Sequence, residues 1–134
     1  MGTLFYLKEL RMNNNRMHGS IPSEIGNING LIDLRVGGND FSGSSIPSEI
    51  GNCGSLQYLG LTFSNLGSTI PPELFNAKSL KWIHLSNNYL EGTIPSTIGK
   101  LESAQISKSF GIQLISNENV FTHYLVNLSY FWIQ

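Results

Sequence analysis

Residues 80–95 read LKWIHLSNNYLEGTIP, and closely similar sequence occurs three more times along the 134-residue chain. The final Ile-Pro pair recurs at 21–22, 46–47, 70–71 and 94–95, at spacings of 25, 24 and 24 residues. Working outward from these pairs, residues 4–100 divide into four units, 4–27, 28–52, 53–76 and 77–100. A fixed period of about 20–50 residues indicates structural units that stack on one another.

Each unit contains a short stretch in which apolar and polar residues alternate, such as Leu10-Arg11-Met12. This alternation predicts a strand with one buried face, centred near 9–13, 33–37, 58–62 and 82–86. Because each unit supplies one short strand, the strands must pair in parallel between units. The asparagine that follows (Asn15, Asn39 and Asn88) can bond backbone groups of neighbouring coils. Ser64 replaces it in the third unit, and we expect that turn to be the loosest.

Glycine and proline mark the rest of each unit. Gly19, Gly43 and Gly92 stand where the backbone must turn tightly, whereas the third unit carries Ser68 there. Proline ends the strand region by removing a hydrogen-bond donor. The Pro-Ser-Glu-Ile sequence that follows predicts one turn of 3₁₀ helix on the far side of the coil.

The complete pattern, L-x-x-L-x-x-L-x-L-x-x-N-x-L-x-G-x-I-P-x-x-L-G-x, resembles the plant-type leucine-rich repeat. The resemblance implies an α/β solenoid, a right-handed curved coil with a parallel β-sheet on the concave face. It also implies short 3₁₀ or irregular convex segments, and a second short strand where x-G-x-I-P follows the first. In family terms the chain resembles part of the ectodomain of a receptor-like kinase or receptor-like protein.

The two ends depart from the pattern. Residues 1–3 fit the end of a preceding repeat, and neither a signal-peptide pattern nor the paired-cysteine cap usual in the family precedes the first unit. We therefore expect an exposed apolar edge at the first unit and self-association through it. Residues 101–134 predict a degenerate fifth repeat, with a strand near 111–115, followed by an apolar tail.

Composition excludes several classes of function. A net charge of −1 provides no positive electrostatic field that would attract nucleic acid. The sequence also contains no run of about 20 apolar residues, so it predicts no membrane span. We expect no cofactor, no metal site and no catalytic residue, because phosphate-loop, kinase and hydrolase motifs are missing. His18, His84 and His123 occupy unrelated repeat positions, and Cys53 occupies a core position. The acidic residues before the 3₁₀ isoleucine or leucine predict a solvated face: Glu24, Glu49 and Glu73.

The exposed positions of the sheet form columns across neighbouring strands. The first column is Glu9, Asp33, Tyr58 and Trp82, and the second is Arg11, Arg35, Gly60 and His84. The candidate ligand-binding residues on these strands and the turns after them are Arg11, Arg35, Tyr58, Phe63, Trp82, His84 and Tyr89. Aromatic rings supply contact area and arginine supplies bidentate contacts. The alternative is that Glu9 and Asp33 neutralise the arginines and that the rings only shield the sheet.

Three functional hypotheses follow. The first is an interaction module that binds a peptide, a protein or a co-receptor, as the resemblance implies for receptor ectodomains outside the cell or at its surface. The second is a stand-alone inhibitor of a cell-wall hydrolase, similar to polygalacturonase inhibitors. The third is a truncated gene product without an evolved partner. Residues 35–38, Arg-Val-Gly-Gly, also resemble the Arg-x-Gly-Gly element of some plant peptide-hormone receptors, although these glycines can equally serve to relieve crowding.

Overall fold

The computed structural model describes residues 6–101 and 109–111. Its elements alternate between three-residue strands and five-residue 3₁₀ helices. The strands are β1 (Glu9–Arg11), β2 (Asp33–Arg35), β3 (Tyr58–Gly60), β4 (Trp82–His84) and β5 (Ser109–Gly111). The 3₁₀ helices are Ser23–Asn27, Ser48–Asn52, Pro72–Asn76 and Ser96–Lys100. One strand and one 3₁₀ helix therefore form one coil, as the repeat predicts.

The strands form one parallel sheet in the order β1-β2-β3-β4-β5. Leu10 pairs with Leu34, Leu34 with Leu59, and Leu59 with Ile83, and these middle residues of β1 to β4 point into the coil. Leu34, Leu59 and Ile83 are completely buried. This register confirms the two predicted columns on the opposite face of the sheet. The strands are shorter than predicted, but backbone bonds from Met12 to Arg35 (2.7 Å) and from Asn14 to Gly37 (2.9 Å) continue the ladder.

The hydrophobic core fills the space between the sheet and the 3₁₀ helices. Each 3₁₀ helix follows a proline and turns an aliphatic side chain inward, as Ile25, Ile50 and Leu74 do. Phe75 is the largest of the fully buried side chains, and it stands in the third coil where the first two coils carry glycine. The acidic residues of these helices are exposed, which confirms the predicted solvated face.

Buried amides of Asn39 and Asn88 join successive coils, as the sequence predicts, whereas Asn15 in the first coil is exposed and bonds the carbonyls of Met12 and Asn13 in its own turn. Asn88 Nδ2 donates to the carbonyls of Leu61 (2.7 Å) and Leu85 (2.9 Å), and its Oδ1 accepts from the amides of Ser64 and Leu66 (both 3.1 Å). Asn39 makes the equivalent bonds between the first two coils. Ser64 occupies the same position but only reaches the carbonyl of Thr62, at 3.3 Å. The third coil therefore lacks a side chain that reaches the second coil from this position.

A second, much shorter ladder lies beside the sheet. Isolated parallel bridges join His18 to Asp40 and Thr69 to Glu91. This is where the family resemblance implies a second strand. In the turns nearby, Gly19, Gly43 and Gly92 have φ between 77° and 94°. Ser68 adopts the same left-handed backbone, with φ of 68°.

The fifth strand differs from its predicted position. The sequence predicts it near residues 111–115, whereas the structure pairs Ser109–Gly111 with Trp82–His84. Ile83 is therefore opposite Phe110, 27 residues further along the chain, and not at the 24-residue repeat spacing. The repeat breaks after Leu101, so the sequence period no longer fixes the register there. Residues 112–134, with the predicted apolar tail, lie outside the described residues.

Candidate functional site

Pairs of strand side chains that face away from the core lie next to one another across the sheet. Asp33 pairs with Glu9 on one side and with Tyr58 on the other, and Tyr58 pairs with Trp82. Neighbouring strands in a sheet are about 4.8 Å apart, so side chains in one column are in contact range. The amino-terminal half of this face is charged and the carboxy-terminal half is aromatic.

Asp33 organises the charged half. Its Oδ2 accepts from Arg11 Nε (3.0 Å) and Nη2 (2.6 Å), and its two oxygens accept from Arg35 Nε (2.8 Å) and Nη2 (3.0 Å). Glu9 lies 3.3 Å from Arg11 Nη2. The Asp33 side chain is only 8% exposed, whereas half of Arg11 is exposed. One buried carboxylate therefore holds two guanidinium groups at the surface.

The pKa values agree with this geometry. Burial by itself raises the pKa of Asp33, but the hydrogen bonds from Arg35 and Arg11 outweigh it and hold that pKa below the ordinary 3.8. The same carboxylate raises the pKa of Arg35. Asp33 and Arg35 are therefore both ionised across the neutral range. The geometry matches the alternative in which acidic residues neutralise the arginines, and Asp33 does most of this.

Tyr58 is the centre of the aromatic half. Its ring is stacked on His84, with centroids 5.3 Å apart and planes 21° apart, and lies 6.3 Å from Trp82 at 32°. The guanidinium carbon of Arg35 lies 3.8 Å from the Tyr58 centroid. We call Arg35, Tyr58, Trp82 and His84 the ring cluster. A cation placed over a tyrosine face in this way is attracted by the ring's quadrupole.

Gly60 makes room for the ring cluster. It separates Arg35 from His84 in the second column. A Cβ atom at this position would lie 3.1 Å from Tyr58 Cε1 and 3.5 Å from Arg35 Cγ. The Tyr58 ring therefore leans over the backbone of Gly60 and fills the space that a side chain would occupy. The second sequence column shows that glycine stands where the neighbouring strands carry arginine and histidine. The column does not predict that the Tyr58 ring fills the space above this glycine.

Burial changes the acid–base character of His84. Burial first, and the charge of Arg35 second, lower the pKa of His84 below the ordinary 6.5. The imidazole is therefore neutral at pH 7 and stacks on Tyr58 without a charge of its own. Lys81 lies on the outer side of the cluster, with Nζ 5.9 Å from the centroid of the Trp82 ring.

Phe63 and Tyr89 lie outside the ring cluster. Both are in the turns after β3 and β4, where they are 65% and 59% exposed, far more than Tyr58 or Trp82. Arg11 is joined to the ring cluster only through Asp33 and Arg35. The seven sequence-predicted residues therefore divide into the ring cluster, a paired arginine beside it and two exposed rings at the rim.

The two glycines after Arg35 have a packing role. A Cβ at Gly37 would lie 2.7 Å from the carbonyl oxygen of Thr62, and one at Gly38 would collide with the side chain of Asn14. Gly38 also has φ of +68°, in the left-handed region. These contacts favour the interpretation that the glycines relieve crowding between coils.

Cys53 belongs to the hydrophobic core. Cys53 is fully buried, its Sγ lies 3.3 Å from the carbonyl of Ile25, and burial raises its pKa. Within residues 6–101 and 109–111, no three His, Cys, Asp or Glu side chains come together in a way that could hold a metal ion. No helix in the same residues has the length and apolarity needed to cross a membrane. His123 lies outside the described residues.

Comparison with known proteins gives a consistent picture. The family model described as Leucine Rich Repeat matches residues 6–28 and 79–101. The chain is similar to the ectodomain of the Arabidopsis thaliana receptor kinase GASSHO1/SCHENGEN3, solved in complex with CASPARIAN STRIP INTEGRITY FACTOR 2, at 35% identity and a TM-score of 0.74. That match covers 84% of this chain and 13% of the receptor chain. Comparison with curated protein sequences found no match.

Two further Arabidopsis structures are similar. The receptor kinase HAESA, in complex with the peptide hormone IDA and the co-receptor SERK1, is 38% identical, with a TM-score of 0.70 over 81% of this chain and 19% of that chain. The BIR3–SERK2 complex from Arabidopsis thaliana matches at 30% identity and a TM-score of 0.66, over 83% of this chain and 58% of that chain. The chain thus spans less than a fifth of the two larger ectodomains. These similarities confirm the fold and the family resemblance that the repeat predicts.

Proposed function

Because the chain is a leucine-rich repeat solenoid of the plant type, we propose that it is a peptide- or protein-binding module whose site is on the concave sheet. The observation that carries this proposal is the ring cluster, in which Tyr58, Trp82 and His84 lie side by side with Arg35 over Tyr58. Tyrosine, tryptophan and arginine are the residues enriched among those that dominate binding energy at interfaces. The ring cluster gathers all three on one sheet surface.

The size of the sheet sets the kind of partner. Five strands about 4.8 Å apart span about 19 Å. An extended peptide rises about 3.3 Å per residue, so about six of its residues cross this surface. A contact surface only about 19 Å wide is small for a standard interface, in which each partner contributes roughly 800 Å². We therefore expect an extended peptide or an exposed protein segment as the partner, bound weakly by this chain alone.

The charged half of the face supports recognition of an acidic group on that partner. Asp33 accepts hydrogen bonds from Nε and Nη2 of both arginines, on one edge of each guanidinium group. The Nη1 nitrogens carry further N–H donors, which suit a carboxylate or sulfate. Two acidic and two basic side chains balance in charge here, so we expect geometry, and not net charge, to select the ligand.

The solved relatives support the same class of partner. One is in complex with a peptide hormone and a co-receptor, and another is itself a complex of two named proteins. By this similarity we propose that the chain acts outside the cell or at its surface. A co-receptor is then the second type of partner to test, after a peptide.

A selection experiment tests the proposal with a defined probe. The full chain is immobilised and used to select from a phage-displayed library of random twelve-residue peptides, and a selected peptide is synthesised and titrated by calorimetry. Truncating a central aromatic anchor costs about 2 kcal/mol or more, and about 1.4 kcal/mol equals a tenfold loss. Trp82→Ala should therefore weaken the peptide at least tenfold.

The matched control is Glu49→Ala, which removes an exposed side chain on the 3₁₀ side of the solenoid and should leave the affinity unchanged. If the titration is unaffected in a variant that carries both Tyr58→Ala and Trp82→Ala, the ring cluster is not the binding site.

A further inference from the structure

The third coil departs from the others at the turn after its strand. Three residues beyond each of the strands β1 to β4, the backbone enters the left-handed region, with φ of 54° to 68°. The first, second and fourth coils place Asn14, Gly38 and Asn87 there, and the third places Phe63. Glycine and asparagine tolerate this conformation, whereas a bulky side chain in it is an outlier that costs conformational energy.

The turn of the repeat accounts for the left-handed backbone at this position, but not for a phenylalanine in it. The Phe63 side chain is 65% exposed, so core packing does not compensate for its backbone. Residues held in sparsely populated conformations concentrate at functional sites, where the strain is retained for another reason. The same coil also carries Tyr58 and Gly60 at the centre of the ring cluster.

We infer that Phe63 is a second apolar anchor, which takes a hydrophobic side chain of the same peptide that lies on the ring cluster. This inference rests on the proposed function, and it adds the direction in which the bound peptide extends beyond the ring cluster. The exposed ring offers apolar contact area, and its neighbours at the same repeat position, Gly38 and Asn87, carry no formal charge. Gly38 also presents no side chain beside it.

Chain geometry limits the spacing of the two anchors. Five residues of backbone separate Tyr58 from Phe63, which is a span of at most about 17 Å. An extended peptide covers that span in about five residues. The peptide residue on Phe63 therefore lies no more than about five positions from the residue that contacts Tyr58 and Trp82.

One substitution at Phe63 should raise the stability of the chain, because it relieves backbone strain, and lower its affinity for the peptide, because it removes the ring. Phe63→Asn introduces the residue that the first and fourth coils carry, so the thermal midpoint should rise by about 3 °C or more. The same variant should bind the library-selected peptide at least fivefold more weakly, because its ring is lost. Phe63→Tyr keeps both the ring and the strain and should retain wild-type affinity.

Ser68→Gly is the matched control. Ser68 lies in the same coil and also has a left-handed backbone, with φ of 68°. Its substitution should raise the thermal midpoint in the same way and leave peptide affinity unchanged. A double-mutant cycle between Phe63→Asn and alanine substitutions along the peptide then identifies the residue that contacts the ring, which should show coupling within the five-residue limit.

The outcomes separate this inference from the proposed function. If Phe63→Asn raises the midpoint but leaves affinity unchanged, or lowers the midpoint, the inference is wrong. If Trp82→Ala has no effect while Phe63→Asn weakens binding with coupling to an apolar peptide residue, the ring cluster fails as the site and the Phe63 anchor stands. If Trp82→Ala weakens binding and no peptide residue couples to Phe63, only the second anchor is excluded.

Discussion

At the scale of single residues, one carboxylate decides the character of the charged half of the concave face. Asp33 lies on β2, two residues before Arg35 on the same face and beside Arg11 on β1. It therefore reaches both guanidinium groups, whereas Glu9 at the edge strand reaches only Arg11, at 3.3 Å. The sequence columns place these four charges together, but only the side-chain geometry assigns both arginines to Asp33.

Asp33→Asn should lower the free energy of unfolding at pH 7 by about 1–3 kcal/mol, because it removes the negative acceptor of charge-assisted hydrogen bonds and leaves two arginines side by side. The pKa of Asp33 is lower in the folded chain than the ordinary 3.8, so its stabilising contribution is complete well above pH 3.8 and is lost as the pH falls through the folded value. Urea unfolding of wild type and variant between neutral and acidic pH measures this difference, which should begin to shrink as the pH approaches 3.8 and be lost below it. A pH-independent difference would contradict the ionic role of Asp33.

At the scale of structural elements, the turns after the strands are held by side-chain amides. Asn88 bonds two carbonyls and two amides, and three of these four groups, those of Leu61, Ser64 and Leu66, belong to the third coil. The fourth, the carbonyl of Leu85, belongs to its own coil. Strand pairing leaves these groups without partners because each strand is only three residues long. The asparagine ladder therefore contributes to coil stacking in the same way as the sheet, through bonds between neighbouring coils.

Asn88→Ser should lower the free energy of unfolding by about 2–4 kcal/mol, since a serine hydroxyl does not reach the carbonyl of Leu61 and several buried polar groups lose their partner. Asn15 is the matched control because it occupies the same repeat position but is exposed, with bonds only to the nearby carbonyls of Met12 and Asn13. Asn15→Ser should change stability by well under half as much. Equal effects in chemical denaturation would show that burial of the amide is not what matters.

The elements also show what the repeat can and cannot predict. The 24- to 25-residue period determines which residues pair across the neighbouring strands from β1 to β4. The columns of exposed side chains and the inward-facing leucines therefore follow from the sequence. It does not determine the lean of Tyr58 over Gly60, because a rotamer depends on the space left by the neighbouring strand. It also fails at β5, where the period is lost after Leu101 and pairing selects Ser109–Gly111. The sequence also does not predict the left-handed backbone of Phe63, because phenylalanine rarely adopts that conformation.

At the scale of the whole molecule, each coil contacts only its neighbours, so stability is approximately a sum over coils and the interfaces between them. The first coil is less buried than the second. Leu10, Met12 and Met17 are half-buried, while the equivalent Leu34, Val36 and Phe41 are buried. β1 pairs with β2 on one side and is the edge of the described sheet. Within residues 6–101 and 109–111, the outer side of β1 therefore combines half-buried apolar side chains with backbone groups that have no strand partner.

We expect the chain to self-associate through this edge, because unpaired strand groups next to apolar side chains favour pairing with another chain. Sedimentation velocity over a range of protein concentrations should show a species larger than the monomer whose proportion rises with concentration. Met12 and Asn14 donate their backbone N–H groups to the carbonyls of Arg35 and Gly37 in the second coil, so in a parallel ladder the N–H of Asn13 points to the open edge. Asn13→Pro removes that donor without removing a bond to the second coil and should reduce association, with circular dichroism as the check that the fold is retained. A double variant, Tyr58→Ala with Trp82→Ala, serves as the control for contact through the concave rings. If this control abolishes association and Asn13→Pro does not, the copies meet through the ring cluster and the edge is not the contact surface.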